Sequence, residues 1–347
     1  MYKHLYTIGA EALLDPHEDT AIKGKGWEFE FADILDDSEY EIVYGTNTDA
    51  NGKKTTVKAK QLLLKTNSET LGNEVFELFN QALDIVQGYL NPLFGSYLEI
   101  AEINEVGKGF TIPPGRKTKY IQTYNPAVYK AAKITAKASY KDTYKFALSK
   151  VFQSIELFSI PAIDLDPFHN ENIFIPTLNT KLPSTVVLRL TQSIRLAYSA
   201  IEELGLHLQA KDKIKDKAYA TIESRWLPKS KTHLEKRLSS VAKINPTDTY
   251  LWMRRGPKQT NEMTRKTKGV KDAPWVSGED VRDEEVLFID AIADARYLSS
   301  DISGHTLGSK GKEDKLATLS PYDVLNVQHL SRELLMRTLK EWKSHNP

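Results

Sequence analysis

The segment STVVLRLTQSIRLAYSAIEELGLHLQ, residues 184–209, decides the architecture of the second half of the chain. Val187, Leu190, Ile194, Ala197, Ile201, Leu204 and Leu208 recur at alternating steps of three and four, the spacing that lines one face of an α-helix. A seam of that kind needs other helices to cover it. Three further helical patterns flank it, over 127–158, 284–303 and 321–342. The first opens after Asn125-Pro126, where proline is tolerated in the first helical turn. In the last, Ser320 is a natural N-cap, Pro321 occupies the first helical position and Asp323 favours the first turn. Four long helices predict a bundle. A Pro- and Asp-rich connection (161–183) and a basic insertion (211–282) interrupt it.

Working outward, residues 1–125 read differently. Trp27-Glu28-Phe29-Glu30-Phe31 and Tyr40-Glu41-Ile42-Val43-Tyr44 alternate apolar and polar side chains, the period of a half-buried strand. Asp49-Ala50-Asn51-Gly52 is a turn signal, and a third strand follows over Thr55–Ala59. A helix is expected over Glu69–Leu90, with more strands over Tyr97–Val106 and Lys119–Tyr124. The fold class is therefore α+β: a strand-rich domain over 1–125, then a mainly helical bundle over 126–347. A chain of 347 residues is long enough for two cores.

The composition is that of an ordinary soluble globular protein. There is no cysteine, so disulfides, thiol nucleophiles and thiolate metal sites are excluded, and a reducing cytoplasmic setting is expected. No apolar stretch approaches the roughly 20 residues that span a bilayer, and the N-terminal residues do not read as a secretion signal. The formal net charge of +1 hides an asymmetry. Side chains of residues 1–110 sum to about −10 and those of 211–271 to about +11. The two halves could attract each other, or the basic segment could meet a polyanion.

Most catalytic signatures are missing: there is no phosphate-binding Gly-rich loop, dinucleotide fingerprint, His-Glu-x-x-His or Gly-x-Ser-x-Gly. Asp164, Asp166 and His169 group metal-ligand types in one loop, although acidic residues beside proline are ordinary in turns. On the helix expected over 284–303, a spacing of about 100° per residue aligns Asp290, Asp294, Tyr297, Asp301 and His305. Leu287, Ala291, Ala295, Leu298 and Ile302 form the adjoining apolar face. Such a stripe can serve general acid/base chemistry, hold a divalent ion, or form a polar face neutralised by its neighbours.

The helix 184–209 with Glu202 and Glu203, and the pair of helices spanning Asp283–Trp342, together resemble the helical HEPN domains of prokaryotic RNases and defence toxins. The resemblance covers the C-terminal half only. It implies a homodimer, an RNA substrate and metal-independent cleavage by an Arg and a His, supported by an acidic residue on an earlier helix. Here those residues would be Arg296, His305 and Glu202, with Glu203 as the alternative acid; no cofactor is implied. Family members place the His a few residues after the Arg, near the start of the last helix. In this chain eight residues separate Arg296 from His305. A continuous helix would set them on opposite faces, about 13 Å apart along the axis.

Two basic features suit RNA. Lys130, Lys133, Lys137, Lys141 and Lys145 share one face of the helix read over 127–158, bordered by Tyr140 and Tyr144. Lysines can follow phosphates, and tyrosines can stack on unpaired bases. Arg254 and Arg255 open a second basic run that continues through Lys258, Arg265, Lys266 and Lys268. The leading expectation is an RNA-directed toxin or antiviral-defence protein acting as a metal-independent endoribonuclease. The alternatives are a non-catalytic dimerisation or interaction bundle, and a metal-dependent nuclease using Asp290, Asp294 and Asp301.

Overall fold

The computed structural model describes residues 2–13, 20–33, 40–48, 54–87, 103–105, 117–120, 127–158, 184–209, 226–255, 281–303, 319 and 321–341. They form two compact units, Met1–Lys145 and Phe146–Pro347. The architecture is α+β: an antiparallel strand sheet first, then mostly helices.

In the N-terminal unit, strands β1 (His4–Leu13), β2 (Ala21–Gly24), β3 (Trp27–Asp33), β5 (Lys54–Thr66) and β6 (Ile103–Glu105) lie in the order β2-β3-β5-β1-β6. Strand β5 is long enough to pair also with β4 (Tyr40–Thr48), which in turn pairs in parallel with β7 (Lys117–Tyr120). The alternation read from the sequence sets the two faces. Trp27, Phe29 and Phe31 join Leu62, Leu64, Tyr6 and Ile8 in the core. On the other face Lys23 stands opposite Glu28 and Glu28 opposite Lys65, a cross-strand row of alternating charge. Lys65 also forms an ion pair with Glu30.

Helix α1 (Glu69–Gln87) and helix α2 (Ala127–Ser139) pack on each other and on this sheet. Ser68 caps α1, its hydroxyl accepting the Leu71 N–H at 3.2 Å. Phe79 meets Phe29 edge-on at 5.4 Å, and Tyr129 meets Phe31 at 5.4 Å. Burial of Ala131, Ala132, Ile134 and Ala138 assigns α2 to the sheet unit rather than to the bundle. The helix read as continuous over 127–158 is two helices, α2 and α3 (Asp142–Leu157). The Ser139 hydroxyl bonds back to the Ala136 carbonyl at 2.7 Å, and the amides of Tyr140 and Lys141 reach only three residues back. Those bonds tighten and close α2, and Asp142 then opens α3. The division between the two units falls inside α3.

The C-terminal unit is built around α4 (Ser184–Glu203) and α7 (Pro321–Glu341), with α5 (Pro228–Arg237) and α6 (Phe288–Arg296). All seven seam residues of the quoted segment are buried. Helices α3, α4 and α7 are fixed in register by a buried polar knot. Ser154 and Ser193 each donate to the other's carbonyl at 2.8 Å, and Gln328 Nε2 reaches the Ser193 hydroxyl and the Phe158 carbonyl at 2.9 Å. Each of these side-chain donors has an acceptor, so the knot costs little to bury and favours one alignment.

The structure corrects one further expectation and fills in part of the basic insertion. Among the described residues of 211–282, Trp226, Leu234, Leu238, Ala242, Ile244 and Trp252 are buried. The segment contributes α5, a π-helical turn (Leu238–Ala242) and strand β8 (Thr249–Arg255), which pairs antiparallel with β9 (Val281–Leu287). The helix expected to start at Glu284 therefore starts at Phe288, because Glu284–Leu287 pair with Thr249–Trp252. Among the described residues, no helix is long and apolar enough to cross a membrane.

Candidate functional site

The last two turns of α4 position the charged groups. Gly205 has φ +68°, a conformation that suits glycine, and ends the helix: its N–H donates to the Glu202 carbonyl at 2.8 Å, and the Leu206 N–H to the Ile201 carbonyl at 3.1 Å. Tyr198, Glu202 and Gly205, spaced i, i+4 and i+7, follow one stripe of the helix.

Arg296, the last residue of α6, lays its guanidinium over the Tyr198 ring, 5.6 Å from the centroid. Tyr198 is fully buried. Burial holds its phenol far above the ordinary range; Arg296 offsets part of that, Glu202 adds to it, and the backbone of Leu208 opposes it. The phenol thus stays protonated and serves as a platform rather than as a proton carrier. Glu202 is exposed, one turn beyond Tyr198. Glu203 is held elsewhere, because Lys150 donates to it at 2.5 Å and to the Ser199 hydroxyl at 2.9 Å. Of the two acids considered for the supporting role, Glu202 is the one whose charge is felt at Tyr198.

Arg237, ending α5, approaches the same stripe from the other end. A Cβ on Gly205 would sit 2.3 Å from Arg237 Nη2, so only glycine leaves room for the guanidinium as placed. The Nε atoms of Arg237 and Arg296 are both buried without a hydrogen-bond partner among the described residues.

The remaining residues singled out in the sequence fall in several places. His305 lies outside the described residues, as do the Asp164–His169 loop, Ser320 and the basic run from Lys258 to Lys268. Arg254 and Arg255 lie at the end of β8. Of the acidic stripe, Asp290, Asp294 and Tyr297 have described side chains, and they do not share one environment. Asp290 is half-buried and 3.6 Å from Lys231, whereas Asp294 and Tyr297 are buried in the core. Beyond Arg296 the chain is π-helical over Tyr297–Ile302, with the Ser303 N–H reaching the Leu298 carbonyl at 2.9 Å. Those i→i+5 bonds widen each turn, so the 100° spacing that aligned Asp301 with Asp290 no longer holds. Among the described residues no three His, Cys, Asp or Glu side chains gather where they could hold a metal ion.

The lysine row is not one helix face: Lys130, Lys133 and Lys137 lie on α2, Lys141 in the turn after it and Lys145 on α3. Lys130, Lys133 and Lys141 are exposed, Lys137 is half-buried, and Tyr140 is 41 % exposed at the turn into α3. Lys133 lies 4.7 Å over the Tyr129 ring and Lys141 5.0 Å over that of Tyr144. Lys145, the last of the row, forms an ion pair with Glu74 at 2.6 Å.

A second charged cluster has no counterpart among the sequence motifs. His329, Arg332, Glu333 and Arg337 of α7 gather around Tyr250 of β8 and Phe288 of α6. Arg337 Nε donates to Glu333 at 2.6 Å and its guanidinium lies 5.2 Å from the Phe288 centroid. Burial, with Arg332 beside it, drops the His329 pKa to about 4, so the imidazole is neutral near pH 7. The i, i+3 spacing of His329 and Arg332 is the one signal of it that the sequence carries.

Comparison with family models, curated proteins and solved structures gives no match.

Proposed function

We propose that this is an RNA-directed protein of the toxin or antiviral-defence kind. The observation that carries the reading is the lysine row on α2. Lys130 and Lys133 stand exposed on α2, with Lys137 half-buried beside them, and Lys141 and the 41 % exposed Tyr140 follow in the turn into α3. Helical spacing puts Lys130, Lys133 and Lys137 about 5–6 Å apart in succession, close to the separation of phosphates along an extended single strand. Two of the lysines rest on tyrosine rings, a contact that does not neutralise their ammonium groups. Tyr140 supplies a face on which a base can stack.

In its enzymatic form, the reading places metal-independent phosphodiester cleavage in the helical unit. Arg296 stabilises charge on the phosphate, Glu202 supports it, and His305 moves the proton. The placement of Arg296 on Tyr198 with Glu202 one turn on supports the first two roles. A second reading, a non-catalytic interaction protein, is favoured by the exposed Phe146 and Leu157, three turns apart on α3. In this reading RNA does not bind the lysine row.

Titration of a fluorescent single-stranded RNA at several salt concentrations separates the two. Affinity should fall steeply with salt, and replacing Lys133, Lys137 and Lys141 by Glu should both weaken binding and reduce the slope. Absent binding, or a slope unchanged by the triple variant, removes the lysine row from function and leaves the interaction reading.

A further inference from the structure

We infer that Tyr2 and Tyr140 form a paired stacking site for two neighbouring unpaired bases of an RNA strand, with Lys3, Lys25 and Lys141 beside them to meet its phosphates. The inference rests on the RNA reading of the α2 lysines and extends it to the strands of the same N-terminal unit. Strand register gathers these residues at one end of the sheet. Thr66, the last residue of β5, stands opposite both His4 of β1 and Trp27 of β3. The Lys3 N–H also donates to the Thr66 carbonyl, at 3.0 Å. Tyr2 and Lys3, which lead into β1, and the Lys25-Gly26 turn, which leads into β3, therefore share that end. The Lys25 N–H donates to the Ser139 hydroxyl at 3.5 Å, which brings the end of α2 to the same place. Tyr140 and Lys141 follow directly.

The chemistry gathered there suits unpaired bases. Tyr140 is exposed and Tyr2 half-buried, so both rings keep some surface in water. Burial, then Glu28, then Tyr140 raise the Tyr2 pKa, which keeps its ring neutral near pH 7 and marks Tyr140 as its electrostatic neighbour. An aromatic ring stacks on any of the bases, because each has a π-face. A duplex keeps its bases stacked on one another and offers no such face to a side chain. Around the rings Lys3, Lys25 and Lys141 are all exposed. The acids at this end are met by other groups. Glu28 stands opposite Lys23 and Lys65, and Glu74 pairs with Lys145 at 2.6 Å. Glu69 and Asp142 lie in the first turns of α1 and α3, where the helix dipole favours them. A strand following the α2 lysines passes Lys137, meets Tyr140 one tight turn later and continues to Tyr2.

The test titrates three fluorescent probes into the full-length protein at one salt concentration: a single-stranded RNA, the same strand with abasic positions, and a blunt RNA duplex. Tyr2→Ala, Tyr140→Ala and the ring-preserving Tyr2→Phe and Tyr140→Phe are measured beside the parent, and circular dichroism checks that each is folded. Single-stranded RNA should bind the parent more tightly than the duplex or the abasic strand. Each Ala variant should weaken it about tenfold, and each Phe variant should bind as the parent does, since stacking uses the ring and not the hydroxyl. The abasic strand should bind parent and Ala variants alike, which a merely structural loss would not give. The salt slope should stay unchanged in the Tyr variants, because no cation is removed, and fall when Lys133, Lys137 and Lys141 are replaced by Glu. Folded Tyr2→Ala that binds single-stranded RNA as the parent does overturns the stacking site. If the lysine variant is still impaired, the RNA reading survives that result. Equal weakening of the normal and abasic strands in the Ala variants also overturns it. A parent that binds no RNA overturns both this inference and the reading beneath it.

Discussion

His329 gives the structure a pH signature that can be worked out in advance. Burial, reinforced by Arg332 and opposed by Glu333, lowers its pKa from 6.5 to about 4. The unfolded chain, with an ordinary imidazole, therefore binds more protons than the folded one between those values. A folded pKa below the unfolded one means that stability is held above pH 6.5 and lost as pH falls towards 4. Below pH 4 this group contributes no further loss. A depression of that size corresponds to about 3 kcal/mol in full, of which about 2 kcal/mol is gone by pH 5. Urea unfolding followed by tryptophan fluorescence is the assay. Trp252 is a suitable reporter, buried beside Tyr250 with ring centroids 6.4 Å apart. Between pH 8 and pH 5 the parent should lose about 2 kcal/mol more than His329→Gln, which has nothing to titrate at that position. Equal losses in the two proteins would refute the burial argument, as would an imidazole NMR titration midpoint near 6.5.

Three other outcomes follow from the packing and the site. Ile201→Asp puts an unpaired charge into the fully buried α4 seam and should cost several kcal/mol, seen as loss of cooperative unfolding of the helical unit. Gly205→Ala forces a side chain into a left-handed backbone and against Arg237; a destabilisation of about 1–2 kcal/mol in chemical denaturation is expected. If the protein is the proposed endoribonuclease, cleavage of single-stranded RNA persists in chelator and stops in folded His305→Ala and Arg296→Gln. Cleavage that chelator abolishes and Mg²⁺ or Mn²⁺ restores would contradict the metal-independent chemistry.

Regular periodicity is legible in this sequence and local interruption is not. The α4 seam and the alternation of Trp27, Phe29 and Phe31 can be read directly because burial acts on every repeat of the pattern. The break between α2 and α3 is made by local bonds, from the Ser139 hydroxyl to the Ala136 carbonyl and from the Tyr140 and Lys141 amides three residues back. A 3.6-residue period carries no trace of such a bond, so the pattern runs α2 into the bundle although its alanine-rich face packs with the sheet. Strand β9 reads as helix because its charged residues suit an exposed helical turn equally well, and only pairing with distant β8 settles the matter. At the site, resemblance names Arg296 and Glu202, and the structure places both beside Tyr198. Arg237 is invisible to sequence reasoning, since its relation to Gly205 is a contact between residues 32 apart, with no local signal. The acidic stripe is drawn on a regular α-helix, and the π-helical turn after Arg296 changes the angular spacing on which it depends.

The central proposal is that RNA runs along the lysines of α2 and of the turn after it, and ultraviolet cross-linking with peptide mapping tests it most directly. With single-stranded RNA bound to the full-length protein, cross-links should concentrate in the peptide carrying residues 127–145, at Tyr140 above all, where the exposed ring meets a base. They should disappear from that peptide when Lys133, Lys137 and Lys141 are replaced by Glu. Cross-links that map elsewhere and leave residues 127–145 unmarked would contradict the account.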